Sequence, residues 1–520
     1  MSNIGFDFGT TNSIISYYDR ERRALDCFRP QAGSNPYIPT VISYGRVIEI
    51  GDAAKAEAGN PKTCSHFKLR LGSDFDALLP GKEKTAHIAA RDYIRELLKL
   101  FQREGNEQNK IVMTIPEAWY RENSNFMARE NIQSIYKELE IESFSFQSEP
   151  VAAAAYYCWR YQYQQPEKNP SGLPYDGTLM IIDFGGGTLD VTLCEVKKGK
   201  KIRVLDSCGF GEEGEQHGCA GSAFDEEVVR ILCEEAGMML KEHEFTLVRD
   251  EFEQKLIAKT QICTEMMLEY FDYPEGVEDE PLFSLNFLGG RQVLCRHLKQ
   301  AFDRVNRPVL EKAVRAMQKA RELEFQKFKV VMVGGFSNFC CVEALVRELF
   351  DSRMGAEDIR FSELLSQENK ALAIAKGAAL LADEVISVDP VFPYELGIVL
   401  GEPDEEYHYH DCFIPLIRRG ELTERYMQPV YAQERVRVMP SGLSECYARM
   451  YVGNENERLI FSLDESVSDI FPLEEENREY AIGLRVDENM IPELCIKSTG
   501  GKETRTQLNK LLERIALRKQ

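Results

Sequence analysis

Apolar and polar positions alternate from the first residues of the chain. In IGFDFGTTNS, Ile4, Phe6 and Phe8 fall on one face of a strand and Gly5, Asp7 and Gly9 on the other. The strand ends in a carboxylate and a small hydroxylated turn. Alternation resumes at Ile14 and Ser16, which predicts a hairpin. The same device returns in LMIIDFGGGTLDVTL. There Asp183 closes an apolar strand, Gly185-Gly186-Gly187-Thr188 turns the chain, and Val191 and Leu193 restart the alternation. A third apolar strand, with Val330, Val331 and Val333, runs into Gly334-Gly335. Two small-residue helices accompany these turns. SEPVAAAAYY starts at Ser148 with Pro150 in its first turn, a proper helix entry, and residues 371–382 are rich in Ala and Gly. Small residues let helices approach closely, so the pair is expected to cross at a hinge. Further on the pattern is β: Tyr480, Ile482, Leu484 and Val486 alternate, then a turn, then Leu494 and Ile496. At the end, Leu508, Leu511, Leu512 and Ile515 predict one amphipathic helix of about four turns.

A length of 520 residues suggests three or four folded units, and an apolar fraction of 43% supports real cores. The net charge of −22 argues against binding to nucleic-acid phosphates or to a membrane surface. The 14 cysteines form no CxxC pair, and Cys158, Cys194 and Cys263 sit in apolar runs. They read as reduced core thiols, not a disulfide frame or a zinc site. His408 and His410 lie in an acidic loop without cysteine partners and read as surface residues. The first motif begins at Ile4, so no signal peptide fits, and no run of about 18 apolar residues predicts a membrane span. A cytoplasmic location is the expectation.

Chemistry enters with the turns. A glycine-rich turn presents successive backbone N–H groups that can cradle phosphate oxygens, and threonine hydroxyls add donors. A neighbouring carboxylate can hold Mg²⁺ through water, because Mg²⁺ prefers oxygen ligands and keeps much of its hydration shell. Two such turns facing each other would clamp one polyphosphate from both sides. The bare Gly334-Gly335 turn is then a place where a nucleoside could lie against backbone with no Cβ in the way.

These five segments, in this order, resemble the actin-like ATPases, and in detail the DnaK-type, seventy-kilodalton heat-shock chaperones. IPTVISYGRVIEIGDAAKAEAGNPKTCSHFKLRLG resembles that family's approach to its catalytic lysine and places Lys68 on it. IVMTIPEAWY resembles its strand ending in Val-Pro and places Pro116 at the inter-lobe proline. Ser148-Glu149-Pro150 is similar to its Asn-Glu-Pro. PYELGIVLG, FIPLIRRGELTE, YARMYVGNENER and YAIGLRVDENMIPELCIKSTGGKE resemble successive strands of its peptide-binding domain, more loosely. The resemblance implies an α/β actin-like, two-lobed ATPase domain over residues 1–384 and a linker over 385–392. An all-β sandwich like the peptide-binding domain would follow over 393–504. A short helix over 505–520 would stand in place of the family's long helical lid.

It also implies roles. ATP would be hydrolysed slowly between the lobes, by positioning and charge neutralisation. Gly9, Thr10, Thr11 and Asn12 would hold phosphates from one side, and Gly185, Gly186, Gly187 and Thr188 from the other. Asp7 and Asp183 would hold the waters of Mg²⁺ and a monovalent ion such as K⁺. Lys68 would stand by the γ-phosphate, and Glu149 and Asp183 would orient the attacking water, with Thr188 completing the catalytic set. Lys259 and the third turn, Gly334, Gly335, Phe336, Ser337 and Asn338, would face the nucleoside. Clients would be unfolded or extended polypeptides, met by a pocket around Ile398, Tyr431, Cys446 and Ala448. A J-domain co-chaperone and a nucleotide-exchange factor would be partners.

Several positions depart from the family. Around Lys259, Leu256, Thr260 and Cys263 replace polar and charged residues, and Phe336-Ser337-Asn338 replaces Ser-Thr-Arg. The acidic pair before Phe224-Asp225 becomes Ser222-Ala223. The phosphate side is therefore intact and the nucleoside side altered. Ser387 and Pro390 interrupt a linker whose Val385, Ile386 and Val388 would dock more weakly on the ATPase than an unbroken leucine run. Cys446 and Ala448 stand where the family has larger aliphatics, which predicts a wider or shallower pocket. Without a lid, bound peptide is expected to leave quickly. Two other readings stay open: a nucleotide-gated scaffold on the same fold with little turnover, and a small-molecule kinase with the actin-like core, which the β-sandwich and the Lys68 segment disfavour.

Overall fold

The structure is a computed structural model. It describes residues 2–31, 35–57, 60–72, 75–79, 81–103, 108–116, 125–163, 169, 171–210, 219–258, 265–270, 273–277, 279–320, 328–351, 367–389, 392, 395–404, 408–418, 421–437, 449–453, 458–462, 479–487 and 491–508.

The alternating apolar runs become the central strands of two sheets that share a four-strand plan. In the first, β1 (Ser2–Phe8) forms an antiparallel hairpin with β2 (Asn12–Asp19), which pairs in turn with β3 (Ala24–Cys27). On its other side β1 runs parallel to β4 (Gln108–Ile115), which runs parallel to β5 (Phe144–Ser148). The second sheet repeats the plan. There β6 (Gly177–Phe184) forms a hairpin with β7 (Leu189–Lys197), which pairs antiparallel with β8 (Lys201–Phe210), and β9 (Phe328–Val333) runs parallel to β6. One more strand, β10 (Ser387–Asp389), extends this sheet beyond β8.

Each sheet buries its outer apolar face under helices. Ile4, Phe6 and Phe8 pack against Tyr93, Ile94, Leu97 and Phe101 of α1 (Ala86–Arg103). The inner faces meet two small-residue helices, α2 (Glu149–Tyr163) and, later in the chain, Gln367–Ala382. Ser148 caps α2: its hydroxyl accepts from the Val151 N–H at 3.4 Å. On the second half, α3 (Gly221–Ala236), α4 (Glu242–Ala258) and α5 (Cys340–Asp351) supply Phe224, Val228, Phe252, Val342 and Val346 to the core under β6 and β7. The Gln367–Ala382 helix, here α6, lies on β1, β2 and β4 and crosses α2, which contacts β6, β7 and β8. The two halves therefore touch through this helix pair. The contact is backbone on backbone: a Cβ built on Gly377 would lie 1.7 Å from the carbonyl oxygen of Ala152.

The C-terminal residues form a separate pair of four-stranded sheets. One contains β11 (Glu395–Pro403), β12 (Tyr409–Ile417), β14 (Arg449–Gly453) and β15 (Arg458–Ser462), the other β13 (Val430–Arg437), β16 (Glu479–Val486), β17 (Pro492–Ser498) and β18 (Glu503–Gln507). Leu396, Ile398, Met450 and Val452 from the first meet Tyr480, Ile482, Leu484, Val486, Leu494 and Ile496 from the second. Phe392 is fully buried in the same core. The helix expected from residue 505 does not begin there. Residues 505–507 belong to β18, paired with β17, and Leu508 is buried in the sandwich core. β-Branched Thr504 and Thr506 suit the pleat and outweigh the helical spacing of the leucines. The remainder of that expected helix lies outside the described residues. Among the described residues no helix is long and apolar enough to cross a membrane.

Replacing Gly377 with Ala should cost about 2 kcal/mol or more, because backbone cannot yield to a methyl group as a side chain can. Urea unfolding monitored by circular dichroism measures it, with Gly335→Ala, which meets nothing within 4 Å, as the near-neutral control.

Candidate nucleotide site

The first turn, residues 9–12, closes the β1–β2 hairpin and is tied back by Thr40. The Thr40 N–H donates to the Thr11 carbonyl at 2.8 Å, and the Thr40 hydroxyl donates to the Gly9 carbonyl at 2.8 Å. The second turn is tied back by the start of α3. Carbonyls of Gly185, Gly186 and Gly187 accept from the N–H groups of Gly221, Ser222 and Cys219 at 3.2, 2.7 and 3.4 Å. With the carbonyls held on the protein side, an anion between the turns meets N–H groups and hydroxyls.

The two turns face each other at close range. A Cβ on Gly186 would stand 2.7 Å from Thr11 Oγ1, and one on Gly187 would stand 3.4 Å from Thr10 Oγ1 and 3.0 Å from Leu69 Cδ2. Glycine keeps this gap open. The third turn abuts the second strand end. Gly334 has φ +83°, and its absent Cβ would lie 2.6 Å from Asp183 Oδ1. Ser337 closes that turn by donating its hydroxyl to the Gly334 carbonyl at 2.8 Å.

Charge gathers at the strand ends. Asp7 ends β1, Asp183 ends β6, Glu149 opens α2, and Lys68 lies in a single 3₁₀ turn, Phe67–Arg70. Lys68 Nζ donates to Glu149 Oε1 at 2.8 Å, with both side chains buried. Asp190, which sequence reading passed over, sits opposite Asp183 across the β6–β7 hairpin and is fully buried. Its signal was present: in IIDFGGGTLD the two aspartates are symmetric about the turn.

Among the described residues four buried carboxylates lie near the ammonium of Lys68, and the proton affinity of two of them, Asp7 and Asp183, is raised. Burial first, then the charge of Glu149, pushes Asp7 from the ordinary 3.8 up to about 7, against the pull of Lys68 and a hydrogen bond from Thr114. Burial, then Glu149, Asp190 and Asp7, holds Asp183 well above the ordinary carboxylate range. Asp183 Oδ2 is buried and has no hydrogen-bond partner among the described residues. An orphaned carboxylate oxygen in an acidic cluster is what a cation satisfies. Among the described residues no three acidic, histidine or cysteine side chains converge to ligate a metal by themselves. The orphaned Asp183 oxygen suits an oxygen-seeking ion such as Mg²⁺ that keeps its waters.

The nucleoside side differs in kind. Phe336 is half-buried against aromatics, with ring centroids 5.0 Å from Phe184, 5.2 Å from Phe224 and 5.6 Å from Phe339. Asn338 Oδ1 is buried without a partner among the described residues. Lys259, with Thr260 and Cys263, lies outside the described residues, as do Cys446 and Ala448. Of the peptide-pocket candidates that are described, Ile398 is buried between the two sheets of the sandwich. Tyr431 sits on the other sheet, packed on Gly483, and donates its hydroxyl to Glu503 at 2.7 Å. The structure does not bring these two side chains together.

A model of the Hsp70 protein family matches residues 101–390, more than half of the chain. Curated proteins with similar sequences include the chaperone protein DnaK of Thermosipho africanus (strain TCF52B), 25% identical over 474 residues, covering 86% of this chain and 70% of that protein. The chaperone protein DnaK of Ureaplasma urealyticum serovar 10 is 26% identical over 363 residues, covering 66% of this chain and 54% of that protein. That of Mycoplasmopsis agalactiae is 25% identical over 421 residues, covering 76% and 62%. The chain thus spans between about half and seven-tenths of the length of these relatives.

The carboxylate cluster predicts an inverted pH response. Asp7 holds a proton in the folded state between the ordinary 3.8 and about 7, so its contribution to stability improves as pH falls through that window. Asp7→Asn should raise the melting temperature at pH 7.5 in the absence of divalent cations, with the gain shrinking below pH about 6 as the native carboxylate takes up its own proton. Lys68→Ala should instead lower stability by about 3 kcal/mol, since it leaves Glu149 buried and unpaired. Thermal melts across pH in cation-free buffer check both.

Proposed function

The chain belongs to the Hsp70 family, and from that premise we propose that it is an ATP-hydrolysing chaperone with an actin-like, two-lobed ATPase domain and a β-sandwich that binds extended apolar segments of unfolded polypeptides. The observation that carries this reading is the pair of glycine turns facing each other at the ends of β1 and β6, with Lys68–Glu149 buried beside Asp7 and Asp183. The repeated strand order of the two sheets supports the two-lobed arrangement. A cytoplasmic location belongs to the same proposal.

The chemistry asked of the site is modest. Phosphoryl transfer to water needs the nucleophile and leaving group in line and the spread negative charge stabilised. Gly9 to Asn12 and Gly185 to Thr188 would grip the phosphates from opposite sides through N–H groups and hydroxyls. Lys68 would place its ammonium against the transferring phosphoryl group, where a desolvated charge acts strongly. Glu149, fixed by Lys68, and Asp183 would orient the attacking water and accept its proton. Asp7 and Asp183 would hold Mg²⁺ through its waters, and the ion supplies neutralisation of phosphate charge. Asp190 adds a further negative charge, so a monovalent cation such as K⁺ suits the same cluster.

The sandwich supports the client half of the reading. Its eight described strands form two sheets over one core, and an extended peptide bound to such a domain would use main-chain hydrogen bonds with side-chain pockets for selectivity. Co-chaperones of the J-domain and nucleotide-exchange kinds belong to the same proposal. The second reading, a nucleotide-gated scaffold with little turnover, draws on Phe336. Its ring packs on Phe184 and Phe224, in keeping with the altered nucleoside side expected from the sequence.

Single-turnover ATP hydrolysis, with and without an unfolded peptide, separates the two. The chaperone reading expects hydrolysis that peptide accelerates, reduced about 10²-fold or more in Lys68→Ala. Nucleotide binding without hydrolysis in the native chain would select the scaffold.

A further inference from the structure

We propose that Asn306 is a positioning residue for the second glycine turn, presented by a single π-helical turn and acting on residues 185–188 through the start of α3. The consequence for phosphate rests on the nucleotide reading above; the contacts themselves do not.

The helices Cys295–Ala301 and Arg307–Ala320 are joined by one wide turn, Phe302–Asn306, in which the Arg307 N–H donates to the Phe302 carbonyl five residues back. Pro308 accounts for it. A proline has no N–H to offer, and its ring crowds the carbonyl four residues back, here that of Arg304, so the helix widens just before it. Such turns are rare within helices and gather at functional sites. This one is tied on two sides. Arg304 Nη1 donates to Glu227 Oε1 of α3 at 3.0 Å, and Arg307 Nη2 donates to Glu348 Oε2 of α5 at 3.2 Å. Phe302 is buried, its ring centroid 6.0 Å from that of Phe339, which closes the third turn.

The wide turn carries Asn306 into the interior, where it is fully buried. Asn306 Nδ2 donates to the Cys219 carbonyl at 2.9 Å and to the Ala220 carbonyl at 3.2 Å. Its Oδ1 is buried and has no hydrogen-bond partner among the described residues. A buried acceptor left unpaired costs free energy, and leucine would fill the same space without that cost. What asparagine adds here is the pair of donors.

Those donors act at a particular place. The Ala220 carbonyl and the Gly221 N–H are opposite edges of one planar peptide unit. Asn306 pins the carbonyl edge, and the N–H edge donates to the Gly185 carbonyl at 3.2 Å. The neighbouring Ser222 and Cys219 N–H groups hold the carbonyls of Gly186 and Gly187 at 2.7 and 3.4 Å. Ala220, the N-cap of α3, has no capping side chain, and the first N–H groups of that helix are given to the turn instead. One amide and one peptide plane therefore connect the π turn to the carbonyls that must stay turned away from an anion. Without Asn306 the Ala220–Gly221 plane is free to rotate, and the Gly185 carbonyl can swing into the gap, where its partial negative charge repels phosphate.

Asn306→Leu and Asn306→Ser in the full chain test this, the first keeping the shape without donors, the second shortening the side chain. Hydrogen exchange measured by mass spectrometry without nucleotide should quicken by about tenfold or more at residues 219–222 and also at 185–188. In single-turnover experiments hydrolysis of bound ATP should slow by about tenfold or more, while adenosine affinity measured by calorimetry stays within about twofold of native, since the third turn keeps its contacts. A lowered melting temperature with an unchanged rate for bound ATP would make Asn306 a core support and overturn the proposal. So would faster exchange confined to residues 219–222, equal losses of adenosine and ATP affinity, or failure of both variants to fold. If the native chain itself neither binds nor hydrolyses ATP, the nucleotide reading fails. Exchange at residues 185–188 in the variants then still decides whether Asn306 positions the turn.

Discussion

Four carboxylates, Asp7, Glu149, Asp183 and Asp190, are buried near the ammonium of Lys68, the one buried lysine among the described residues. No folded protein gains stability from such an excess of buried negative charge, and the upward shifts at Asp7 and Asp183 express the cost. In the proposed function, cations and phosphates would complete the arrangement. Much of the surrounding structure can be understood as what is needed to hold this cluster together in their absence. Two hairpins deliver their carboxylates from opposite sheets. Lys68 is threaded in on a 3₁₀ turn whose flanking Phe67 and Leu71 are fully buried, and Glu149 is fixed at the first turn of a helix.

Holding the two hairpins against each other requires the sheets to approach through something thin. α2 and α6 provide it. Their facing surfaces are alanine and glycine, so the crossing is nearly backbone to backbone at Ala152 and Gly377. Such a contact has little side-chain play to absorb a change in geometry, and packed interfaces of this kind move between discrete arrangements more readily than they deform. The same two helices lead to the functional ends: α2 begins at Glu149, and α6 ends at Asp383. Charge in the cleft and the start of the linker are therefore joined by one rigid crossing.

Legibility in the sequence followed the length scale of the interaction. Period-two alternation around Ile4 to Phe8 and Met180 to Phe184 made the strands readable, and the pair Asp7-Phe-Gly-Thr and Asp183-Phe-Gly-Gly-Gly-Thr made the facing turns readable, because each is set by a few adjacent residues. Asp190 was missed because its neighbour in space, Asp183, is its partner only once the hairpin register is known. The helical spacing of Leu508 onward misled at its start, since Thr504, Thr506 and Leu508 answer to β17 and the sandwich core, which local spacing does not reveal. Ile398 and Tyr431 were grouped by aligned position, and which sheet each occupies depends on pairings tens of residues away.

Ser387 shows what a local rule leaves out. Read along the chain, a serine within Val385-Ile386-Ser387-Val388 subtracts apolar area and so weakens docking. In place, it is the residue that meets the edge of β8, where an unpaired carbonyl at Lys200 needs a donor, and it supplies both its N–H and its hydroxyl. The flanking carboxylates at Asp383 and Asp389 then find Arg20 and Lys201. A linker built this way trades uniform apolar contact for directional bonds at two ends. Apolar contact tolerates sliding, while hydrogen bonds in strand register do not. The segment is thus less adhesive per residue and more sensitive to the relative placement of the two surfaces it touches.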